Sequence, residues 1–260
     1  MSNPDRFLGR AAVYAAARPP YPAALGGWLA GEGLLRGDVA DLGAGTGLFT
    51  RLLLAAGAAR VDAVEPNPEM RAELEAALAA QLASGAVRVH AGTSEASGLP
   101  DASVDLVTAA QAAHWFAPEP TVRELRRVLR PGGRVLLVWN DWRGVDAPLN
   151  RAYGEVVAQF TEADVPPLAT RVPEAELPGL LPEGFETRLF DHAVPFTRER
   201  LRALAGSVSY LPSPGDPAYP AMTAALDRAF GEPAGGHAPL LYRTHAYLGR
   251  VGEPTPPRQM

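Results

Sequence analysis

Between residues 38 and 140 the apolar positions switch repeatedly between two spacings. Short runs rich in Val, Leu and Ala read as buried strands over 38–42, 61–65, 87–91, 104–110 and 134–139. Between them, apolar residues recur every three or four positions, the spacing of one helix face. Leu48, Phe49, Leu52 and Leu53 mark a helix over 46–56. Met70, Leu74, Leu78 and Leu82 form the stripe of a second, capped by Asn67 and opened by Pro68, where a missing N–H costs nothing. Val122, Leu125 and Leu129 mark a third over 119–129, stopped by Pro131-Gly132-Gly133. Strands alternating with helices through short connections predict an α/β fold with a doubly wound parallel sheet.

The flanks are less regular. Residues 13–35 form an amino-terminal arm, with Arg18-Pro19-Pro20-Tyr21-Pro22 stiff and extended and a helix over 22–30. After Trp139 the pattern predicts helices over 149–160, 198–210 and 221–230, a sixth strand over 185–196 and a last strand over 240–251. Proline-rich stretches at 166–182 and 211–220 read as irregular. The expected organisation is one domain: arm 1–36, core 37–145, cover elements 146–236 and last strand 237–252. The cover elements are expected beside the carboxyl edge of the sheet, where open α/β sheets bind ligands.

The chemistry concentrates after the first strand. Asp41-Leu42-Gly43-Ala44-Gly45-Thr46-Gly47 joins a strand to a helix, and Glu65 ends the next strand 20 residues after Gly45. Glycines let a backbone turn tightly and approach a ligand, and an acid at the following strand tip can accept hydrogen bonds from both ribose hydroxyls. A dinucleotide site has the spacing G-x-G-x-x-G; here it is G-x-G-x-G, and Asp41 would repel a pyrophosphate but attract an ammonium group. On these residues alone, another nucleotide binder or a ligand-free glycine turn remains open.

Asp41 to Gly47 resembles motif I of the class I S-adenosylmethionine-dependent methyltransferases. Asp101-Ala102-Ser103-Val104-Asp105-Leu106-Val107 resembles the family's fourth-strand motif, and 123–133 its helix and turn before strand five. The resemblance covers about residues 38 to 140. It implies a Rossmann-like, seven-stranded, mostly parallel sheet with an antiparallel last strand, plus helical cover elements. It also implies that S-adenosylmethionine is the cofactor, leaving as S-adenosylhomocysteine. Asp41, Gly43, Ala44, Gly45, Thr46 and Gly47 then line the methionine portion, and Glu65 holds the ribose. Pro66 and Met70 are expected on the adenine face, and Thr93 and Ser94 at its edge, where many relatives carry an aspartate. Gln111 is expected to touch the cofactor.

The segment 13–22 is similar to the arm of small-molecule members related to the trans-aconitate methyltransferases. This places Tyr14 and Arg18 near the cofactor or a substrate acid, since arginine suits a carboxylate. His114 is the candidate base or substrate hydrogen-bond partner, with Trp115, Trp139, Asn140, Tyr21 and Tyr210 as further acceptor contacts. Tyr153 and Tyr242 extend the aromatic set, and Arg243 is a remote acid clamp. Displacement at a sulfonium needs alignment above all, and a base only when the nucleophile arrives protonated.

Composition narrows the partners. The 260-residue chain has a net charge of -5 and no cysteine, which removes thiolate, disulfide and cysteine-based metal chemistry; no metal is expected. Every basic residue other than histidine is arginine. Arg123, Arg126, Arg127 and Arg130 read as a solvated helix face rather than an RNA surface. No apolar run reaches membrane-spanning length, so a cytoplasmic protein is expected, with a small-molecule acceptor and neither nucleic acid nor membrane as partner. The expected reaction is methyl transfer to a carboxylate or hydroxyl oxygen. The alternatives are lyase or cyclase chemistry on the same cofactor, an RNA or protein methyltransferase, and a nicotinamide dehydrogenase.

Overall fold

A computed structural model describes residues 18–161, 171–208 and 210–252. The alternation in the sequence becomes α1 (Ala23–Gly31), β1 (Val39–Leu42), α2 (Leu48–Ala55), β2 (Val61–Val64), α3 (Pro68–Ala77), α4 (Ala79–Ala83), β3 (Val87–His90), β4 (Val104–Ala110), α5 (Pro118–Val128) and β5 (Leu129–Asp141). There follow α6 (Pro148–Phe160), β6 (Phe185–Phe196), α7 (Arg198–Gly206), α8 (Tyr219–Phe230) and β7 (Ala238–Gly249). The strands form one seven-stranded sheet in the order β3-β2-β1-β4-β5-β7-β6. β1 pairs in parallel with β2 and β4, β2 with β3, and β4 with β5, while the last strand runs antiparallel. All four residues of β1 and of β2 are buried, as centre strands covered on both faces must be. The strand order reverses between β1 and β4, and crevices at such a reversal hold ligands.

Two elements differ from the pattern. The helix predicted through Leu82 breaks at Leu78, whose φ of -120° and ψ of 23° leave the helical region. Leu74 and Leu78 are buried against the Gly47 turn, whereas Leu82 is only half-buried at the edge of the same cluster. β5 starts at Leu129, five residues before the predicted start. Val104 pairs with Leu129 but Leu106 pairs with Arg134, so Pro131-Gly132-Gly133 forms a bulge inside the strand rather than a turn before it. Gly132 has φ of 81°, and a Cβ on Gly133 would lie 2.8 Å from the Leu129 side chain.

The described residues group into two compact units that cut across the linear order. One draws on residues 18–22, 140–161, 190–208 and 210–244; the other on residues 23–139, 171–189 and 245–252. The second unit has its core around Leu42, Val107, Leu125, Leu137 and Trp139. The first has its own, built from Tyr153 and Val157 of α6, Leu201 and Leu204 of α7, Met222 and Leu226 of α8, and Leu240 and Tyr242 of β7. No helix among the described residues is long and apolar enough to cross a membrane.

Candidate active site

The site in the second unit starts from the turn after β1. Gly43, Gly45 and Gly47 all take positive φ, at 67°, 56° and 78°, a region that favours glycine. A Cβ on Gly43 would lie 2.6 Å from the Ala112 Cβ, and one on Gly47 3.0 Å from Leu74. A Cβ on Gly45 would meet nothing within 4 Å. Two glycines are therefore required by close packing, and the middle one faces open space. Ala44 turns its methyl into the core, leaving its backbone to the turn.

Glu65 follows β2 and is 7% exposed. Its Oε2 accepts from the Gly45 N–H at 2.8 Å and its Oε1 from the Asn67 N–H at 2.9 Å. Burial pushes its carboxyl above the usual carboxylate range, against the opposing pull of these two N–H groups. Each oxygen keeps a second lone pair, so the carboxylate can hold the loop and still accept a pair of hydroxyls. Arg71 donates to the carbonyls of Glu65 and Pro66 at 2.8 and 2.7 Å, fixing the strand tip.

Asp41 is not poised to meet an ammonium group directly. It is 1% exposed, and its two oxygens accept from the hydroxyls of Thr50 at 2.7 Å and Thr108 at 2.8 Å. Burial pushes its pKa up to about 6. It ties β1 to α2 and β4, so it shapes the cofactor loop from behind. The two threonines carry no motif that marks them in the sequence. Met70 is a buried residue of the helix stripe, 4% exposed, and Pro66 is half-buried. The Thr93 hydroxyl accepts from the N–H groups of Glu95 and Ala96, at 3.3 and 3.2 Å, closing its own turn. Ser94 is buried, and its hydroxyl faces Thr121 of α5 at 3.4 Å. Ser94 is thus turned inward, whereas Thr93 stays exposed.

The chain leaving β4 returns to the glycine turn. Gln111 takes φ of 55°, rare for a residue with a side chain, while its N–H donates to the Val138 carbonyl at 2.8 Å. Ala112 then abuts Gly43, and a single helical turn, Ala113–Trp115, carries His114. His114 Nδ1 accepts a long hydrogen bond, 3.4 Å, from the indole N–H of Trp139, and its ring lies 4.8 Å from that of Trp115. An indole only donates, so Nδ1 is the acceptor and the neutral ring carries its proton on Nε2. Trp139 itself is fully buried, edge-on to Tyr247, so it orients His114 rather than lining an acceptor surface.

The remaining candidates belong to the first unit, apart from Tyr14, which lies outside the described residues. Arg18 and Tyr21 are half-buried. Asn140 is a structural tie: its Nδ2 donates to the Pro20 carbonyl at 3.3 Å and its Oδ1 accepts from Thr244 at 3.1 Å. Tyr210 accepts from Arg143 at 2.6 Å. Arg143 also lies 5.8 Å from the Trp142 ring centre, and Trp142 packs edge-on to Tyr153. Tyr242 is 2% exposed with an unpartnered hydroxyl, and burial raises the pKa of both Tyr153 and Tyr242. Arg243 is paired with Asp191 through two N–H groups. Among the described residues no group of three or more His, Cys, Asp or Glu is placed to hold a metal.

The chain is similar to known methyltransferases. The family pattern described as a methyltransferase domain matches residues 40–137, the span that holds the glycine turn, Glu65 and His114. An uncharacterised methyltransferase-like protein of Schizosaccharomyces pombe is 35% identical, over 79% of this chain and 78% of that one. An uncharacterised methyltransferase of Mycobacterium tuberculosis is 40% identical, over 70% of this chain and 66% of that one. A solved structure from Anaeromyxobacter dehalogenans, assigned as a type II methyltransferase, superposes with a TM-score of 0.69 at 27% identity, covering 91% and 99%. A turn with room over Gly45, beside a carboxylate able to accept two hydroxyls, fits the nucleoside and amino-acid ends of S-adenosylmethionine. The chain belongs to the class I S-adenosylmethionine-dependent methyltransferases.

Proposed function

We propose that this methyltransferase acts on a small-molecule acceptor and methylates an oxygen that arrives already ionised, a carboxylate. When bound, S-adenosylmethionine supplies an activated methyl group on a sulfonium. The protein's part is to hold the ribose on Glu65, keep the space over Gly45 clear, and present the acceptor in line. The observation that carries the acceptor reading is the His114–Trp139 hydrogen bond. A hydroxyl acceptor needs a base at the moment of transfer. With Nδ1 accepting from the indole and Nε2 protonated, His114 offers a donor instead, which suits a carboxylate oxygen. The net charge of -5 supports a small acceptor over a nucleic acid. A cytoplasmic location accords with this reading.

The test is incubation with methyl-labelled S-adenosylmethionine and fractionated extract of the source organism. Label in the small-molecule fraction, released as methanol by mild base, is the expected result, because an ester forms at a carboxylate. Base-stable label in that fraction would make the acceptor a hydroxyl or an amine. Label in RNA or protein would contradict the small-molecule reading. Cofactor consumption without transferred label would indicate lyase or cyclase chemistry.

A further inference from the structure

The arginines on α5 do not form a plain solvated face. Arg123, Arg126 and Arg127 of α5, Arg130 of β5 and Arg250, which follows β7, line one cavity of about 1180 Å³. Its walls also include Asp101 and Glu183. The cavity lies in the same unit as the glycine turn but at the other end of the strands. Asp101 precedes β4 and Arg130 opens β5, whereas Gln111 and the glycine turn follow the carboxyl ends of β4 and β1. At about 3.3 Å per residue, the length of β4 puts roughly 20 Å between the two ends.

Two of the five guanidiniums are neutralised in place. Arg127 donates to Glu124 and Asp101, and Arg130 to Asp38 and Asp105. The other three are not. Arg126 gives its Nε–H to the Val251 carbonyl at 2.6 Å and meets no carboxylate among the described residues. Arg123 and Arg250 are exposed and form no ion pair with a described residue. Glu183, also in the lining, forms no ion pair with a described residue, and the four carboxylates on Arg127 and Arg130 are held in place by those two side chains. A chain of net charge -5 has thus lined one hollow with five arginines against two carboxylates, drawn from α5, the start of β5 and a segment more than a hundred residues later.

We propose that this cavity is a second ligand site, for a compact anion carrying two or more phosphate or carboxylate groups. Guanidinium forks match the oxygens of either group in pairs. The hollow is concave and bordered by the carboxylates of Asp101 and Glu183, which suits a compact anion better than an extended polyphosphate backbone.

Calorimetry on the full chain saturated with S-adenosylhomocysteine tests it, with pyrophosphate, citrate and a short single-stranded RNA as probes. Saturable binding of pyrophosphate or citrate is expected, weakening as salt rises. Tighter pyrophosphate binding would identify phosphate as the preferred group, and tighter citrate binding carboxylate. The Arg123→Ala/Arg250→Ala double variant should bind the anion at least about tenfold more weakly, with S-adenosylhomocysteine affinity unchanged. Equal anion affinity in the variant, no saturable binding of either small anion, or tighter binding of the RNA than of both would overturn the proposal.

Discussion

Gly43, Gly45 and Gly47 share a positive φ but differ in what surrounds them, and that difference separates stability from ligand binding. Gly43→Ala forces a methyl to within 2.6 Å of Ala112 and should destabilise the fold by about 2–3 kcal/mol. Gly45→Ala meets only the backbone strain, about 1–2 kcal/mol, but its methyl enters the space left for the cofactor. Thermal unfolding beside a titration with S-adenosylhomocysteine should show Gly43→Ala losing more stability and Gly45→Ala losing affinity while folded. Full affinity in folded Gly45→Ala would remove that space from the site. Asp41 gives a pH signature. Its folded pKa of about 6 lies above the ordinary 3.8, so its contribution is most favourable at low pH and is lost as pH rises through about 6. At neutral pH the buried charge costs about 3 kcal/mol relative to the acid form. Relative to Asp41→Asn, the wild type should gain stability between about pH 8 and pH 5 in urea unfolding. Parallel pH profiles would show that Asp41 is not strained by burial. The role of Asp41 was legible only as an acid beside glycines. Its partners Thr50 and Thr108 stand 9 and 67 residues away, and no local pattern signals hydroxyls at those distances.

At the scale of elements, the parallel core was read well because each strand is a short apolar run and each helix a periodic stripe. β4 and β6 span the residues that the alternation predicts. The misreadings arose where tertiary packing overrode local signals. Pro131-Gly132-Gly133 looks like a terminator, yet the strand passes through it as a bulge because Leu129 still pairs with Val104. Leu82 fits the helix stripe but lies beyond the break at Leu78 and packs only half-buried against the edge of the cluster around Leu74, Leu78 and Val87. The first unit relies on a polar tie that periodicity cannot show. Asn150 of α6 is 3% exposed; its Nδ2 donates to the carbonyls of Trp142 and Leu241, and its Oδ1 accepts from the Leu241 N–H. Asn150→Ala leaves three buried backbone groups without these partners and should cost about 3 kcal/mol, read as a lower denaturant midpoint. A loss under about 0.5 kcal/mol would mean that water or a backbone shift replaces the tie.

Over the whole molecule, the chain assembles two cores from interleaved segments. The linear division into arm, core, cover and last strand does not describe that grouping, because β5, β6 and β7 each contribute residues to both units. Charge is also distributed unevenly. The arginines of α5 read as a solvated face in one dimension, and residues distant in sequence, among them Glu183 and Arg250, join them in lining a cavity. The place of Glu65 at the tip of β2, by contrast, was legible from its spacing alone, since strand, turn and strand tip are all local. Glu65 accordingly carries the central claim, that the turn after β1 and the acid after β2 bind S-adenosylmethionine. The most direct measurement is a calorimetric titration of wild type and Glu65→Ala with S-adenosylhomocysteine. The account predicts one site per chain in the wild type and a loss of about 1–3 kcal/mol in the variant, roughly fivefold to 150-fold in affinity. Equal affinity in the two proteins would contradict it.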